Sequence, residues 1–192
     1  MSAITEHFDS TEFEQGGAPV PSQYLGNLYA LAALLEQARA IGGGYPLRIT
    51  SGYRPAADNA SVGGAATSQH LTASAADFYP VGADAVEWSR AIIAAAATGD
   101  IRFGQLEVDP YGDGHVHLSL DNGVAINNAI VLVGHDPNTY ADWNGGDLPP
   151  KDSGGFGDAV AETDSAESTA SSNSVTAIIS IALLFAILEG GI

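Results

Sequence analysis

The sequence predicts an α+β fold, in which a small antiparallel sheet has helices packed on one face. Leucine and alanine recur at three-to-four spacing from Ser22 to the glycines that begin at Gly42, which predicts a helix over residues 22–41. An alanine-rich stretch over residues 85–98 predicts a second helix. Short apolar or alternating segments between and after these helices predict strands, so both element types contribute to one core.

Turn and capping residues set the expected limits of these elements. Ser22 is the expected N-cap of the first helix, and Asp84 with Glu87 forms a predicted capping box for the second. Gly42 and Gly99 are expected to end the two helices. The predicted strands cover residues 47–50, 75–79, 105–109, 115–120, 124–126 and 130–133.

A predicted hairpin gives the most geometry. Its even positions are apolar (Leu106, Val108, Val116, Leu118 and Leu120), and its odd positions are polar (Gln105, Glu107, Asp109, His115, His117 and Ser119). Period-two alternation predicts that the even set faces the core and the odd set faces an open surface. A turn centred on Gly112 would place Glu107 opposite His117 and Asp109 opposite His115.

The chain divides into three predicted regions. Residues 1–135 form the expected domain, residues 136–173 an acidic linker rich in Gly, Ser and Pro, and residues 174–192 a hydrophobic C-terminal segment. Within that segment, residues 175–188 carry no charge. As a helix this run would be about 21 Å long, shorter than the roughly 30 Å hydrocarbon core of a bilayer. Membrane insertion, burial in a protein assembly and packing on its own domain remain open.

Composition excludes some function classes. The net charge is −17, with 6 basic and 23 acidic residues, which argues against a nucleic-acid partner. The chain has no cysteine, so thiolate chemistry is excluded. Its first residues have neither a basic nor an apolar region of the signal-peptide type, so we expect no Sec signal peptide.

Histidines and a carboxylate in three short stretches predict a metal site. His70 is followed by Asp77 in an otherwise apolar segment, and His115 and His117 lie on the polar face of the hairpin. Two imidazoles and one carboxylate, with a fourth position left for water, make up a hydrolytic zinc site, whereas closed structural sites usually use cysteine. The sequence therefore predicts a bound zinc ion.

These stretches also resemble a known family. The runs Ser51-Gly52-Tyr53-Arg54, Ser68-Gln69-His70-Leu71, Ala75-Ala76-Asp77 and His115-Val116-His117, with Asn59 and Val62-Gly63-Gly64-Ala65, are similar to those of the zinc D-Ala-D-Ala carboxypeptidases and L-alanyl-D-glutamate endopeptidases. These LAS metallopeptidases share a fold with the hedgehog signalling domain. The resemblance covers roughly residues 5–135, and the His7-Phe8 and Glu12-Phe13 pairs fit the short bacterial and phage members.

The resemblance implies a zinc peptidase that acts on peptidoglycan stem peptides, located in a virion or the cell envelope. It implies His70, Asp77 and His117 as zinc ligands and Arg54 as the cation that holds the peptide or its oxyanion. It implies that the general base is an acid or a histidine shortly before the last ligand. His115 is the expected base, and Asp113 and Glu107 are the alternatives.

Two features favour a competing reading. The usual pattern of the family has glycine where this chain has Ala73, a residue that suits an ordinary backbone but not one with positive φ. Members of the superfamily with intact metal sites can also lack activity. The alternative is therefore a non-catalytic component of a phage tail or envelope assembly, with the C-terminal segment used for assembly or membrane insertion.

Overall fold

A computed structural model describes residues 3–110, 114–121, 130–133 and 141–148 of the chain. Its helices are α1 (Leu25–Ile41), α2 (Ala56–Ser61) and α3 (Ala85–Thr98), and its strands are β1 (Leu47–Ser51), β2 (Ala75–Pro80), β3 (Gln105–Val108), β4 (Val116–Ser119), β5 (Ile130–Val133) and β6 (Ala141–Asp142). Short 3₁₀ turns cover Ser10–Phe13, Gln15–Gly17, Ser22–Tyr24 and Gln69–Thr72. The α+β class is confirmed.

The sheet has the strand order β1-β2-β4-β3-β5-β6. The first four strands are antiparallel to their neighbours, as predicted, but β5 runs parallel to β3. The sheet is therefore mixed, with β5 added at the edge of β3. The predicted strand over residues 124–126 lies outside the described residues.

The apolar face of the sheet carries the helical layer. Phe78 of β2 meets Trp88 of α3 edge to face, with ring centroids 5.4 Å apart. The even positions of the hairpin are buried on this face, Leu106, Val108, Val116 and Leu118 at 0 % exposure. The backbone of Gly42, at the end of α1, lies directly against the Trp88 indole, where a Cβ would collide. Both predicted helices thus belong to one core.

The ends of the helices differ in part from the predictions. A 3₁₀ turn precedes α1 and includes Ser22, whose side chain caps nothing, so the predicted N-cap is wrong. Asp84 does cap α3, since its carboxylate accepts bonds from the amides of Val86 and Glu87. Glu87 pairs with Arg90 instead of completing a capping box. The short helix α2 was not predicted from the sequence.

The described domain extends past the expected boundary at residue 135. β6 pairs with β5, and Trp143 is 7 % exposed in the main core. Arg90 of α3 donates to the carbonyls of Gly145 and Gly146, which ties this segment to the helix. Residues 149–192, including most of the expected linker and the hydrophobic segment, lie outside the described residues. No helix within the described ranges is long and apolar enough to cross a membrane.

Candidate metal centre

Cross-strand neighbours form three rows on the polar face of the sheet. When the strand pairing is extended by one residue at each end, it gives an inner row of Ala75, Ser119 and Gln105, a metal row of Ser51, Asp77, His117 and Glu107, and an outer row of Arg48, Tyr79, His115 and Asp109. The predicted pairing of Glu107 with His117 is confirmed. The Asp109 amide donates to the His115 carbonyl, as the other predicted pair requires.

The polar face is less open than predicted. Ser119, Asp109 and His117 are 0 %, 3 % and 8 % exposed. Gln69 lies over the inner row, where its side-chain amide donates to Ser119 Oγ and Gln105 Oε1. The alternation itself was predicted correctly, but the turn that carries His70 covers part of the face. Part of this polar face is therefore shielded from solvent.

Three side chains converge at the middle of this face. One ligand atom each of His70, Asp77 and His117 lies within 4.8 Å of the other two. Asp77 Oδ1 is 2.7 Å from His117 Nδ1 and 3.3 Å from His70 Nε2. Sheet pairing sets Asp77 beside His117, whereas His70 comes from the turn before β2. The structure brings together the three residues predicted as metal ligands.

The hydrogen bonds of His70 indicate that a cation belongs in this cluster. Its Nδ1 donates to the Gly52 carbonyl over 2.8 Å, because a carbonyl oxygen can only accept. Nε2 of the neutral ring therefore presents a lone pair to a carboxylate oxygen. Two such atoms 3.3 Å apart repel each other unless a proton or a metal ion lies between them. On His117 it is Nδ1 that faces Asp77, and Nε2 is buried without a hydrogen-bond partner among the described residues.

A residue with a left-handed backbone conformation ends the turn that carries His70. Ala73 ends the 3₁₀ turn Gln69–Thr72 at φ 54° and ψ 34°, and it is 0 % exposed. It is the one non-glycine residue with positive φ in the described ranges. The expectation that Ala73 would keep an ordinary backbone is wrong, because the turn must reverse the chain between His70 and β2. The chain accepts a strained alanine where the family pattern has glycine.

Two further contacts hold the surrounding loops. Asn59 of α2 is 3 % exposed, and its amide donates to the carbonyls of Gly64 and Ala65 ahead of the His70 turn. Gly52 packs against the backbone of Phe13, and a Cβ on it would lie 2.6 Å from Phe13 Cα. The Tyr53 amide donates to the Phe13 carbonyl over 2.7 Å. The N-terminal segment thus fixes the carbonyl that orients His70.

The electrostatics of the cluster favour a charged pair in the metal-free protein. Burial alone would raise the pKa of Asp77, but the hydrogen bond from His117 and the neighbouring His70 lower it far below its ordinary value. Burial would lower the pKa of His117, but its bond to Asp77 raises the pKa above the ordinary value. Asp77 therefore stays ionised. An ionised carboxylate held between two imidazoles is a ready ligand for a divalent cation.

Arg54 and Glu107 flank the cluster. Arg54 donates to Ser51 Oγ over 2.8 Å and lies 3.4 Å from Asp77 Oδ2, with its side chain 16 % exposed. Glu107 ends the metal row, and its pKa is raised, first by burial and further by the negative charge of Asp77. Gln105 donates to the Glu107 carboxylate. The site therefore offers one cation and one additional acid beside the cluster.

His115 lies in the outer row, just ahead of β4 and two residues before His117. Its side chain is 30 % exposed, and its Nδ1 is 3.9 Å from Asp109 Oδ2, whose side chain is 4 % exposed. With Nδ1 on the side of Asp109, Nε2 is the nitrogen turned away from that carboxylate. Asp113, an alternative for the base, lies outside the described residues.

The geometry and donor set fit a metal-binding centre, and comparison with known proteins identifies its family. A family model described as Peptidase M15 matches residues 5–119, so the chain belongs to the Peptidase M15 family. These metallopeptidases are zinc-dependent, and the cluster of His70, Asp77 and His117 fits that ion. The search of curated proteins found no match. The match includes the N-terminal segment that supports Gly52.

Three further residues on this face were not predicted from the sequence. Gln69 was read only as part of the histidine motif, yet it covers the inner row. Arg48 and Tyr79 were read as ordinary strand residues, yet they pair in the outer row, with the guanidinium carbon 4.8 Å from the ring centroid. A signal for Tyr79 existed in the sequence, because it follows Asp77 by two positions and period two places it on the same face. The place of Arg48 in the row depends on the register of β1 with β2.

Proposed function

We propose that this protein is a zinc-dependent peptidoglycan peptidase, a D,D-carboxypeptidase or endopeptidase that hydrolyses the stem peptides of bacterial cell walls. The observation that carries the proposal is the convergence of His70, Asp77 and His117 around a cation position in a Peptidase M15 chain. The position lies on a polar face beside a cation and further titratable groups. A purely structural metal site would need neither of those neighbours.

In this proposal His70, Asp77 and His117 hold the ion. Zinc, when bound, lowers the pKa of water and polarises a peptide carbonyl. The Gly52 carbonyl keeps the proton of His70 on Nδ1 and so leaves Nε2 free as a ligand. Asp77 is held by its neighbours in the ionised form that binds metal. The ligands are thus prepared by hydrogen bonds that reach beyond the cluster.

His115 acts as the general base in the proposed reaction. It lies next to the metal row, is partly exposed, and has the buried Asp109 carboxylate on its Nδ1 side. A base whose second nitrogen faces a buried carboxylate is oriented for proton transfer at the first. Nε2 would take the proton of the attacking water and later deliver it to the leaving amine.

Glu107 is the competing base within the described residues. It lies in the metal row itself, and a carboxyl group with a raised pKa is suited to proton transfer. Mutation distinguishes the assignment of His115 as the base from that of Glu107. If His115 is the base, His115→Ala lowers kcat by roughly 100-fold or more, whereas Glu107→Gln has the smaller effect. The opposite order would assign the role to Glu107.

Arg54 is the proposed oxyanion or substrate-carboxylate group. Its guanidinium already lies at the cluster, 3.4 Å from the Asp77 oxygen that faces away from His117. A fixed cation beside the reacting carbonyl stabilises the negative charge that develops there, because the charge forms in a partly desolvated site. The neutral Ser51 hydroxyl holds the guanidinium on its other side.

We further propose that the protein works in a phage virion or at the cell envelope, where peptidoglycan is the partner. The uncharged run over residues 175–188 would then contact a membrane or a virion assembly. The alternative of a non-catalytic docking module in a phage tail or envelope assembly requires no turnover. The two readings give opposite results in one assay.

The test is mass spectrometry of purified muropeptides after incubation with the full chain and zinc. We expect specific cleavage of one stem-peptide bond, and loss of that cleavage in His70→Ala. His7→Ala is the matched control, because His7 lies outside the site and pairs with Glu36 on α1. Intact muropeptides after incubation with a zinc-loaded wild type would favour the docking module.

A further inference from the structure

The outer row contains a cation that the proposed mechanism does not use. Arg48 of β1 pairs with Tyr79 of β2, and its guanidinium carbon lies 4.8 Å from the centroid of the tyrosine ring. Tyr79 follows Asp77 by two positions on the same strand, so both side chains leave the same face of the sheet. Arg48 is therefore on the face of the metal centre and not on the face of the helices.

Arg48 is exposed and forms no ion pair with any carboxylate that the structure describes. Two other arginines do form ion pairs: Arg54 with Asp77, and Arg90 with Glu87. The ring of Tyr79 limits the rotamers of Arg48 without neutralising its charge. In a chain of net charge −17, an oriented and unneutralised cation beside the metal centre is unusual.

The spacing of the rows sets what this cation could reach. Residues two apart on a strand are separated by about 6.8 Å, and neighbouring strands by about 4.8 Å. An extended peptide advances about 3.4 Å per residue, so a substrate crossing from the metal row to the outer row spans roughly two residues. A negative group on the substrate at that distance from the scissile bond would meet the guanidinium.

We propose that Arg48, positioned by Tyr79, binds a free carboxylate of the peptide substrate about two residues from the scissile bond. This inference rests on the proposed peptidase function and deepens it, because it makes a substrate carboxylate a determinant of specificity. The row carries its positive group at the Arg48 end and an acid, Asp109, at the opposite end, so a substrate carboxylate is favoured at the Arg48 end. Arg54 lies at the cluster, 3.4 Å from Asp77, where it would meet the reacting carbonyl or a group next to it, whereas Arg48 lies in the outer row and would meet a carboxylate farther along the peptide.

The test compares two peptides and two enzymes. Each free carboxylate of the cleaved muropeptide is converted in turn to a carboxamide, and kcat/KM is measured for acid and amide with wild type and Arg48→Gln. We expect the wild type to prefer one particular acid over its amide by about tenfold, the range of a hydrogen bond to a charged group. Arg48→Gln should lose that preference and cleave the amide as the wild type does.

Two further variants sharpen the result. Arg48→Lys should keep part of the preference, because it retains the charge without the planar fork. Arg39→Gln is the control for net charge, since Arg39 lies on α1 in the helical layer, and it should keep the full preference. The proposal is overturned if Arg48→Gln keeps the acid preference, or if it slows acid and amide equally.

Failure of the peptidase proposal is a separate outcome. If the wild type cleaves neither peptide, the proposed function is wrong, and calorimetric binding of the same acid and amide still decides the role of Arg48. Tighter binding of the acid by wild type but not by Arg48→Gln would support the carboxylate site. Equal binding of both peptides to both proteins would overturn it.

Discussion

At the scale of residues, the centre depends on backbone positions that carry no reactive group. Gly52 offers the carbonyl that fixes the protonated nitrogen of His70, and Ala73 turns the chain so that His70 faces Asp77. Ala73 does so in the left-handed region, which costs an L-residue roughly 1–2 kcal/mol. The Ala73 methyl group is buried, but its backbone is strained.

The strain at Ala73 predicts an unusual response to glycine. Ala76→Gly, at an equally buried position in β2, should destabilise the protein by about 1.5 kcal/mol through the lost methyl group and the freer unfolded chain. Ala73→Gly incurs the same losses but relieves the left-handed strain, so its cost should be at least about 1 kcal/mol lower. Urea unfolding of both variants measures the difference, and equal costs would contradict the strain at Ala73.

At the scale of elements, the N-terminal segment and the loop after β1 form one support for the metal centre. The Phe13 carbonyl accepts from the Tyr53 amide, and the Gln15 amide donates to the Tyr53 carbonyl. Phe8 and Phe13, buried at 2 % and 0 % exposure, anchor that segment in the core. Residues far from the cluster in sequence therefore determine where the Gly52 carbonyl lies.

Gly52→Ala tests this support. Its new Cβ would lie 2.6 Å from Phe13 Cα and 2.7 Å from Phe13 O, so one of the two backbone segments must move. We expect zinc affinity to fall by roughly 10- to 100-fold, the usual effect of losing a partner of a metal-bound histidine. Competition with a chromophoric chelator measures the affinity.

Gly26→Ala is the matched control for that substitution. Gly26 lies on the exposed side of α1, and nothing is within 4 Å of its added Cβ. Zinc affinity should stay unchanged, and the helix should gain roughly 0.5–1 kcal/mol from the better helix former. Unchanged zinc binding by Gly52→Ala would mean that the carbonyl does not control the orientation of His70.

The sequence predicted most of what depends on local periodicity. Alternation in the hairpin predicted which side chains share the polar face, and the pairing of Glu107 with His117 followed from the turn. The capping role of Asp84 also followed from local chemistry. These features need only neighbouring residues to be known.

What the sequence did not predict depends on contacts between distant segments. The parallel pairing of β5 with β3 requires knowing which sheet edge is free, and the cover of Gln69 over Ser119 requires the path of the turn. The left-handed Ala73 conflicts with its own conformational preference, because tertiary structure overrides it there. The position of Trp143 in the core likewise depends on a helix more than 50 residues earlier.

At the scale of the whole molecule, the metal centre links stability to pH. The pKa of His117 is raised in the metal-free protein, so the stability it contributes is present below its ordinary pKa of 6.5 and is lost as pH rises through the folded value. The pKa of Asp77 is lowered, so its contribution is present above 3.8 and is lost as pH falls through the folded value. The charged pair therefore supports the metal-free fold best between these ordinary values.

Zinc should reverse this dependence. Metal binding requires the deprotonated imidazole, so zinc stabilises the fold more as pH rises. With free zinc at 100 times its Kd, the gain is about 2.7 kcal/mol, which corresponds to a Tm increase of roughly 5–10 °C. Thermal melts with zinc and with chelator should differ little at pH 5 and most at pH 8. A difference independent of pH, or one that persists in His70→Ala, would contradict the assigned ligands.

The most direct test of the account is the zinc content of the purified full chain, measured by mass spectrometry of the element, in wild type and His117→Ala. We expect one tightly held zinc per wild-type chain after dialysis against weak chelator, and little or none in the folded variant. A wild type without zinc, or a variant that retains the wild-type content, would show that His70, Asp77 and His117 do not form a zinc site.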